Sequence, residues 1–268
     1  ITYSLQMVVS QLESGEINED AIQLIYFKVI KYIVSIMESL LSNDYVLFDA
    51  FMIYGDSVFI DDLIGLAKLF SLIDEIKIQD YHKTFEKVID FFIALSGNQL
   101  KSIYCQQVPD EVRGFVNVML SYAVSGLSKP FTMKKAIRII QKTLQFAIDE
   151  MGSPQAAAIV ESIVPEIFLK CNCAIWQLLF NSTDKSISAN LYLPIQYFMM
   201  INQEPYQMVK QKTIEDTPEA KRAEIMRAFT EFEAKFQDAL NQDGEKIMKA
   251  LSVLKSEVNQ NIFNPMFV

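Results

Sequence analysis

The sequence predicts an all-α fold built of stacked helix pairs, on three observations. Apolar residues recur at spacings of three and four almost from end to end. Only 8 Gly and 8 Pro occur in 268 residues, too little punctuation for the many turns of an all-β chain. The helical stretches also follow one another across short joints, in units of roughly 50–60 residues, somewhat longer than the usual two-helix solenoid repeat. Composition agrees with an ordered core, being 51% hydrophobic, 12% aromatic and 21% charged. A compact chain of this length buries about 70–75% of its unfolded surface, enough for a core without metals or disulfides.

In chain order, helices are predicted over residues 2–13, 19–41, 57–75, 79–95, 109–127, 131–151, 154–180, 188–201, 206–213, 218–240 and 244–261. In the second of these, apolar residues such as Phe27, Ile30, Ile33, Val34 and Met37 cover most of the surface. Its polar residues Lys28, Lys31, Ser35 and Glu38 form one narrow strip, the mark of a helix enclosed on several sides. The 131–151 segment repeats the pattern, with Lys134, Arg138, Gln141, Gln145 and Asp149 as its wet stripe. Both are expected inside the stack. Ser153-Pro154 supplies a hydroxyl cap followed by proline at the first helical position, and Pro165 is expected to kink or divide the helix that contains it. Candidate strands are few, Tyr45-Val-Leu-Phe48 being the best, and it has no partner run.

The end of the chain has a different texture. Ile225, Phe229, Phe232, Phe236 and Leu240 are spaced 4, 3, 4, 4, and after Asn241-Gln242-Asp243-Gly244 the same spacing returns in Ile247, Leu251, Leu254, Val258 and Ile262. Matching seams on two helices joined by a Gly-containing turn predict an antiparallel hairpin over 217–262, opened by the cap Thr217-Pro218-Glu219. Its outer faces are charged, as suits a terminal repeat. With no linker or low-complexity stretch in view, residues 1–268 read as one continuous HEAT-like α-solenoid, a globular bundle being the alternative.

Much chemistry is excluded at the outset. His82 is the single histidine, best read as a surface side chain. Without histidine pairs, carboxylate-bridged di-iron chemistry of the Glu-x-x-His kind is ruled out. Cys171 and Cys173 stand two apart in an apolar helix, where they face different ways and cannot jointly grip a metal. Three cysteines form no disulfide framework, which fits a reducing compartment. Asp61-Asp62 and Asp74-Glu75 would suit a magnesium–diphosphate site only with a facing carboxylate set and basic residues, and neither is evident. Near helix starts such acids ordinarily complement the dipole. No glycine-rich phosphate loop occurs, and Asn181-Ser182-Thr183 is read as a chance match to a glycosylation acceptor. No catalytic, cofactor-binding or metal-ligating residue is assigned, and no enzyme activity is expected.

The net charge of -9 and pI ≈ 4.8 argue against binding a bare phosphate backbone, and only Arg113, Arg138, Arg222 and Arg227 supply guanidinium groups. No secretory signal opens the chain, and Ile1 suggests a fragment of something longer. The longest apolar stretch, 21–41, is interrupted by Lys28, Lys31 and Glu38 and is not expected to span a membrane. The 12 Met and 19 Phe are read chiefly as core filling.

Several stretches resemble one family. Asn43-Asp-Tyr-Val-Leu-Phe-Asp-Ala-Phe-Met-Ile-Tyr-Gly-Asp56, followed by Ile60-Asp61-Asp62 and a Leu/Phe-rich helix, is similar to a segment near the C-terminus of the exportin-seven (Ran-binding-protein-sixteen) karyopherins. Asp80-Tyr81, Glu204-Pro-Tyr206, Thr217-Pro-Glu-Ala-Lys221, Met226-Arg-Ala-Phe229 and Ala250-Leu-Ser-Val-Leu-Lys-Ser-Glu-Val-Asn259 follow in the family's order. Leu254 and Lys255 replace the Phe-Arg pair of the family's last motif, and the region between Met151 and Asn190 is shorter and diverged. The exportin-four branch of the same superfamily is a second possibility.

The resemblance implies the C-terminal part of an importin-β-like nuclear transport receptor made of HEAT repeats. Such a receptor shuttles between nucleus and cytoplasm. It binds protein cargo, the GTP-bound form of the small GTPase Ran, and phenylalanine-glycine repeats of nucleoporins. It is not itself an enzyme, and neither direct nucleic-acid binding nor membrane insertion is implied. The principal Ran-binding arch would lie N-terminal to this chain, so no partner-contact residue is carried over. The alternatives are a helical scaffold or tethering subunit unrelated to Ran and, further off, an all-α diphosphate or lipid enzyme.

Overall fold

Helix punctuation decides the local structure. The computed structural model describes residues 1–14, 19–42, 54, 57–73, 78–98, 100–104, 110–239 and 244–261, and among these there are helices and joints but no strand. The candidate strand at 45–48, the Asp74-Glu75 pair and most of the 43–56 motif lie outside the described residues. The chain divides into two compact units, residues 1–167 and 168–268.

The first unit holds α1 (Thr2–Ser14), α2 (Glu19–Ser42), α3 (Val58–Leu72), α4 (His82–Asn98), the single turn α5 (Leu100–Ile103), α6 (Asp110–Leu127), α7 (Met133–Asp149) and α8 (Pro154–Ser162). Here α1 packs on α3 and α3 on α6, while α2 packs on α4 and α4 on α7. Helices therefore stack in two layers, each on the equivalent helix of the preceding pair, as in a helical repeat array. Small residues let them approach: a methyl group on Gly65 would come within 2.5 Å of Leu5, and one on Gly126 within 3.1 Å of the Ala136 methyl. Between the layers sits an aromatic core. Phe70 of α3 lies 5.5 Å from Phe92 of α4 and 5.3 Å from Tyr122 of α6, with Phe115 5.7 Å from Phe92, at the offset and edge-on angles that aromatic rings prefer.

One layer carries an ionic ladder on its outside. Lys135 of α7 reaches Glu86 (2.9 Å) and Asp90 (2.8 Å) of α4, and Lys87 of α4 lies 3.6 Å from Asp90 and 3.8 Å from Glu38 of α2. Burial alone would lower the Lys135 pKa, but the hydrogen bonds and charges of Asp90 and Glu86 together outweigh it and the net shift is upward. The wet stripe of the 131–151 segment falls where expected: Lys134, Arg138 and Asp149 are exposed while Ile137, Ile140 and Leu144 are buried. α2 is less enclosed than its narrow polar strip predicts, because Tyr32 and Ile36 are 66% and 49% exposed.

Pro165 divides the long predicted helix into α8 and α9 (Pro165–Asn181). The break is satisfied from α6, whose Asn117 amide donates to the Ser162 carbonyl (2.7 Å) and accepts from the Val164 N–H (2.9 Å). Ser153 caps α8 by accepting from Ala156 N–H at 3.0 Å.

The second unit begins within α9 and continues through α10 (Lys185–Ile201), α11 (Glu204–Glu215), a 3-10 turn (Glu219–Lys221), α12 (Arg222–Ala239) and α13 (Gly244–Asn261). Its core is again aromatic: Trp176 packs 5.4 Å from Tyr206 and 6.1 Å from Phe232, and Phe232 packs 5.9 Å from Phe236. The predicted hairpin is present. Ile225, Phe229, Phe232 and Phe236 of α12 and Ile247, Leu251, Leu254 and Val258 of α13 are all buried, and the two helices pack together. The start of α12 corrects the expected cap. Pro218 precedes a 3-10 turn rather than opening the α-helix, and the Thr217 hydroxyl donates back to the Thr213 carbonyl at 2.7 Å.

Candidate functional site: a lysine-centred groove

α10 and α13 lie against each other in the second unit, and an open groove of about 740 Å³ is lined by both together with Ser182 and Thr183 of the turn after α9. Its placement follows from helical spacing. Met248, Ser252, Lys255 and Asn259 succeed one another at three- and four-residue steps on one face of α13, with Ser256 next to Lys255, beside the buried seam of Leu251 and Leu254. α10 contributes Ser188, Ala189 and Tyr192, and its start is fixed by Asp184, which accepts from Ser186 N–H at 2.7 Å. That cap places the helix start three residues earlier than the 188–201 prediction, and Pro194 is accommodated within the helix.

Among the described residues that line the groove, Lys255 is the only charged one. Its ammonium donates to the Ser182 carbonyl and, at 2.7 Å, to the Ser188 hydroxyl. Burial lowers the pKa of the amine, and among the described residues no carboxylate pairs with it to compensate. Three N–H donors are available on an ammonium, so one remains for an incoming acceptor. Chemically this is a wall of hydroxyl and amide groups around one underneutralised cation, with apolar floor from Leu179 and Leu251. The arrangement can receive a hydrogen-bond acceptor on Lys255, whose amine also lies within hydrogen-bond distance of the Ser188 hydroxyl.

The residues weighed in the sequence occupy unremarkable places. His82 is exposed at the start of α4, with its ring 5.1 Å from Phe131. Asp61 is exposed and accepts from the Ser57 hydroxyl at 2.9 Å, while Asp62 is buried, so the pair does not share a face. Burial pushes the Cys171 thiol up to about 12 and raises Cys173 as well, the reverse of an activated nucleophile. Cys171 is buried and Cys173 half-buried, on different faces of α9 as the spacing requires. Among the described residues no group of three His, Cys, Asp or Glu could hold a metal ion, and no helix is long and apolar enough to cross a membrane. The groove itself was not legible beforehand: Lys255 meets Ser182 and Ser188 across 73 and 67 residues of chain, and no local pattern encodes that meeting.

No family model matches the chain, and neither a curated protein nor a solved structure matches it.

Proposed function

We propose that this chain is a HEAT-repeat segment of a nuclear transport receptor of the exportin-seven kind, a binding protein rather than an enzyme. The observation that carries the reading is the alternating two-layer packing of the first unit, α1–α3–α6 over α2–α4–α7, which is how helix pairs of a solenoid stack. The collinear motifs, from Ile60-Asp61-Asp62 to Ala250–Asn259, support the choice of family. The acidic balance of -9 suits basic cargo or a basic GTPase face and discourages adhesion to nucleic acid. On this reading the full receptor shuttles between nucleus and cytoplasm, takes protein cargo and Ran-GTP, and touches nucleoporin phenylalanines through many weak contacts.

The test is retention of Ran on the full-length receptor that contains this chain. Ran locked in the GTP state should be held, and the GDP form should be held poorly. Equal retention of both forms would overturn the transport reading and leave a helical scaffold.

A further inference from the structure

Among its described residues the groove on α13 has one positive charge and no negative one, and it has the length of a short extended peptide. From Met248 to Asn259 its wall spans eleven helical steps, about 16 Å at 1.5 Å per residue. That accommodates about five residues of extended chain at about 3.3 Å each. Ser252, Ser256 and Asn259, all exposed on that wall, can exchange hydrogen bonds with a peptide backbone, while Leu179, Leu251 and Met248 offer apolar contact. A backbone and alternate side chains are what such a wall can hold.

We propose that this groove docks an extended segment of a partner protein, with an Asp or Glu side chain placed on Lys255 and apolar residues beside it. Charge complementarity selects the occupant. Lys255 is held by two neutral acceptors, Ser182 and Ser188, and among the described residues no carboxylate balances it. A carboxylate would restore neutrality by a charge-assisted hydrogen bond. A phosphorylated side chain fits less well, because phosphate carries nearly two charges and is ordinarily met by several cations or a guanidinium fork, and the described lining offers one lysine. The half-buried amine, with its pKa lowered by burial, gains most from a partner that favours the charged form. The proposal stands apart from the transport reading, since it requires neither Ran nor a nuclear partner.

The experiment is a peptide array probed with the 268-residue chain. Heptapeptides carry a central Glu, Gln or phosphoserine, flanked by every pairing of Leu, Ile, Val, Met, Phe and Tyr. The best Glu peptides should bind about tenfold more tightly than their Gln counterparts, the worth of one charge-assisted hydrogen bond. Lys255→Met should erase that preference. Ser252→Glu should erase it too, because a carboxylate three residues before Lys255 supplies the missing charge internally. Position 252 is exposed, so that variant keeps the test alive if Lys255→Met fails to fold, as circular dichroism would report. No Glu-over-Gln preference, or a preference that survives a folded variant, would overturn the proposal. Tighter binding of phosphoserine than of Glu would overturn the assignment of a carboxylate.

Discussion

Glu233 of α12 ties two side chains of α11 through one carboxylate. It accepts from the Tyr206 hydroxyl at 3.1 Å and from the Lys210 ammonium at 2.8 and 2.9 Å. Burial first, and then the neighbouring Glu233 charge and hydrogen bond, raise the Tyr206 phenol well above its ordinary value. Lys210 and Glu233 are 21% and 28% exposed, so the pair lies between the weak surface limit and the costly buried one. Glu233→Gln keeps the shape, removes the charge and should cost about 1–2 kcal/mol. Combining it with Lys210→Met in a double-mutant cycle read by urea unfolding should return a coupling of about 1 kcal/mol. A coupling indistinguishable from zero would place the pair with ordinary surface ion pairs. Nothing in the sequence singles out this trio: Tyr206 and Lys210 are a helical turn apart, but Glu233 arrives from α12 by tertiary packing alone.

At the scale of the element, the terminal hairpin was the most legible part. Its eight described seam positions are buried as their spacing predicts, because a seam spaced 4, 3, 4 keeps one face toward one partner. The helix ends were less legible, since they turn on which polar group wins a local competition. Ser153 caps as its position suggests, whereas the Thr217 hydroxyl returns to the preceding helix and leaves α12 to begin at Arg222. The division at Pro165 was readable from proline chemistry, but its Asn117 clamp was not, being supplied from 45 residues away. Phe232→Ala and Leu251→Ala remove fully buried rings or branches from the seam and should cost about 3–5 and 2–5 kcal/mol. Met226→Ala and Val253→Ala, on the outer faces at 53% and 48% exposure, should stay within about half a kcal/mol. Chemical unfolding followed by Trp176 fluorescence distinguishes the two sets. Equal effects would mean that α12 and α13 do not close on this seam.

Across the whole molecule, the protonation of buried groups predicts how stability responds to alkali. Among the described residues, four uncharged acids are held protonated by burial: Tyr104 in the first unit, whose hydroxyl donates to the Arg113 carbonyl at 2.7 Å, and Cys171, Cys173 and Tyr206 in the second. Cys171 moves from 9.0 to about 12, and both phenols lie well above 10.0. The folded chain therefore keeps protons that the unfolded chain releases. This contribution is complete below about pH 9, where both states are protonated, and is lost as pH rises through the folded values. Each group contributes a slope of up to about 1.4 kcal/mol per pH unit in that range. Lys135, whose pKa is also raised, acts with the same sign, while Lys142 and Lys255, whose pKa values burial lowers, act against it. The chain's charge of -9 grows more negative as the pH climbs, adding self-repulsion to the folded state. Urea midpoints should thus be level from about pH 7 to about pH 9 and fall steeply above it. Tyr104→Phe cannot ionise and should flatten the fall at the expense of one hydrogen bond at neutral pH. An unchanged slope in that variant would show that the Tyr104 phenol titrates alike in the folded and unfolded chains, and that its burial has no hold on the proton.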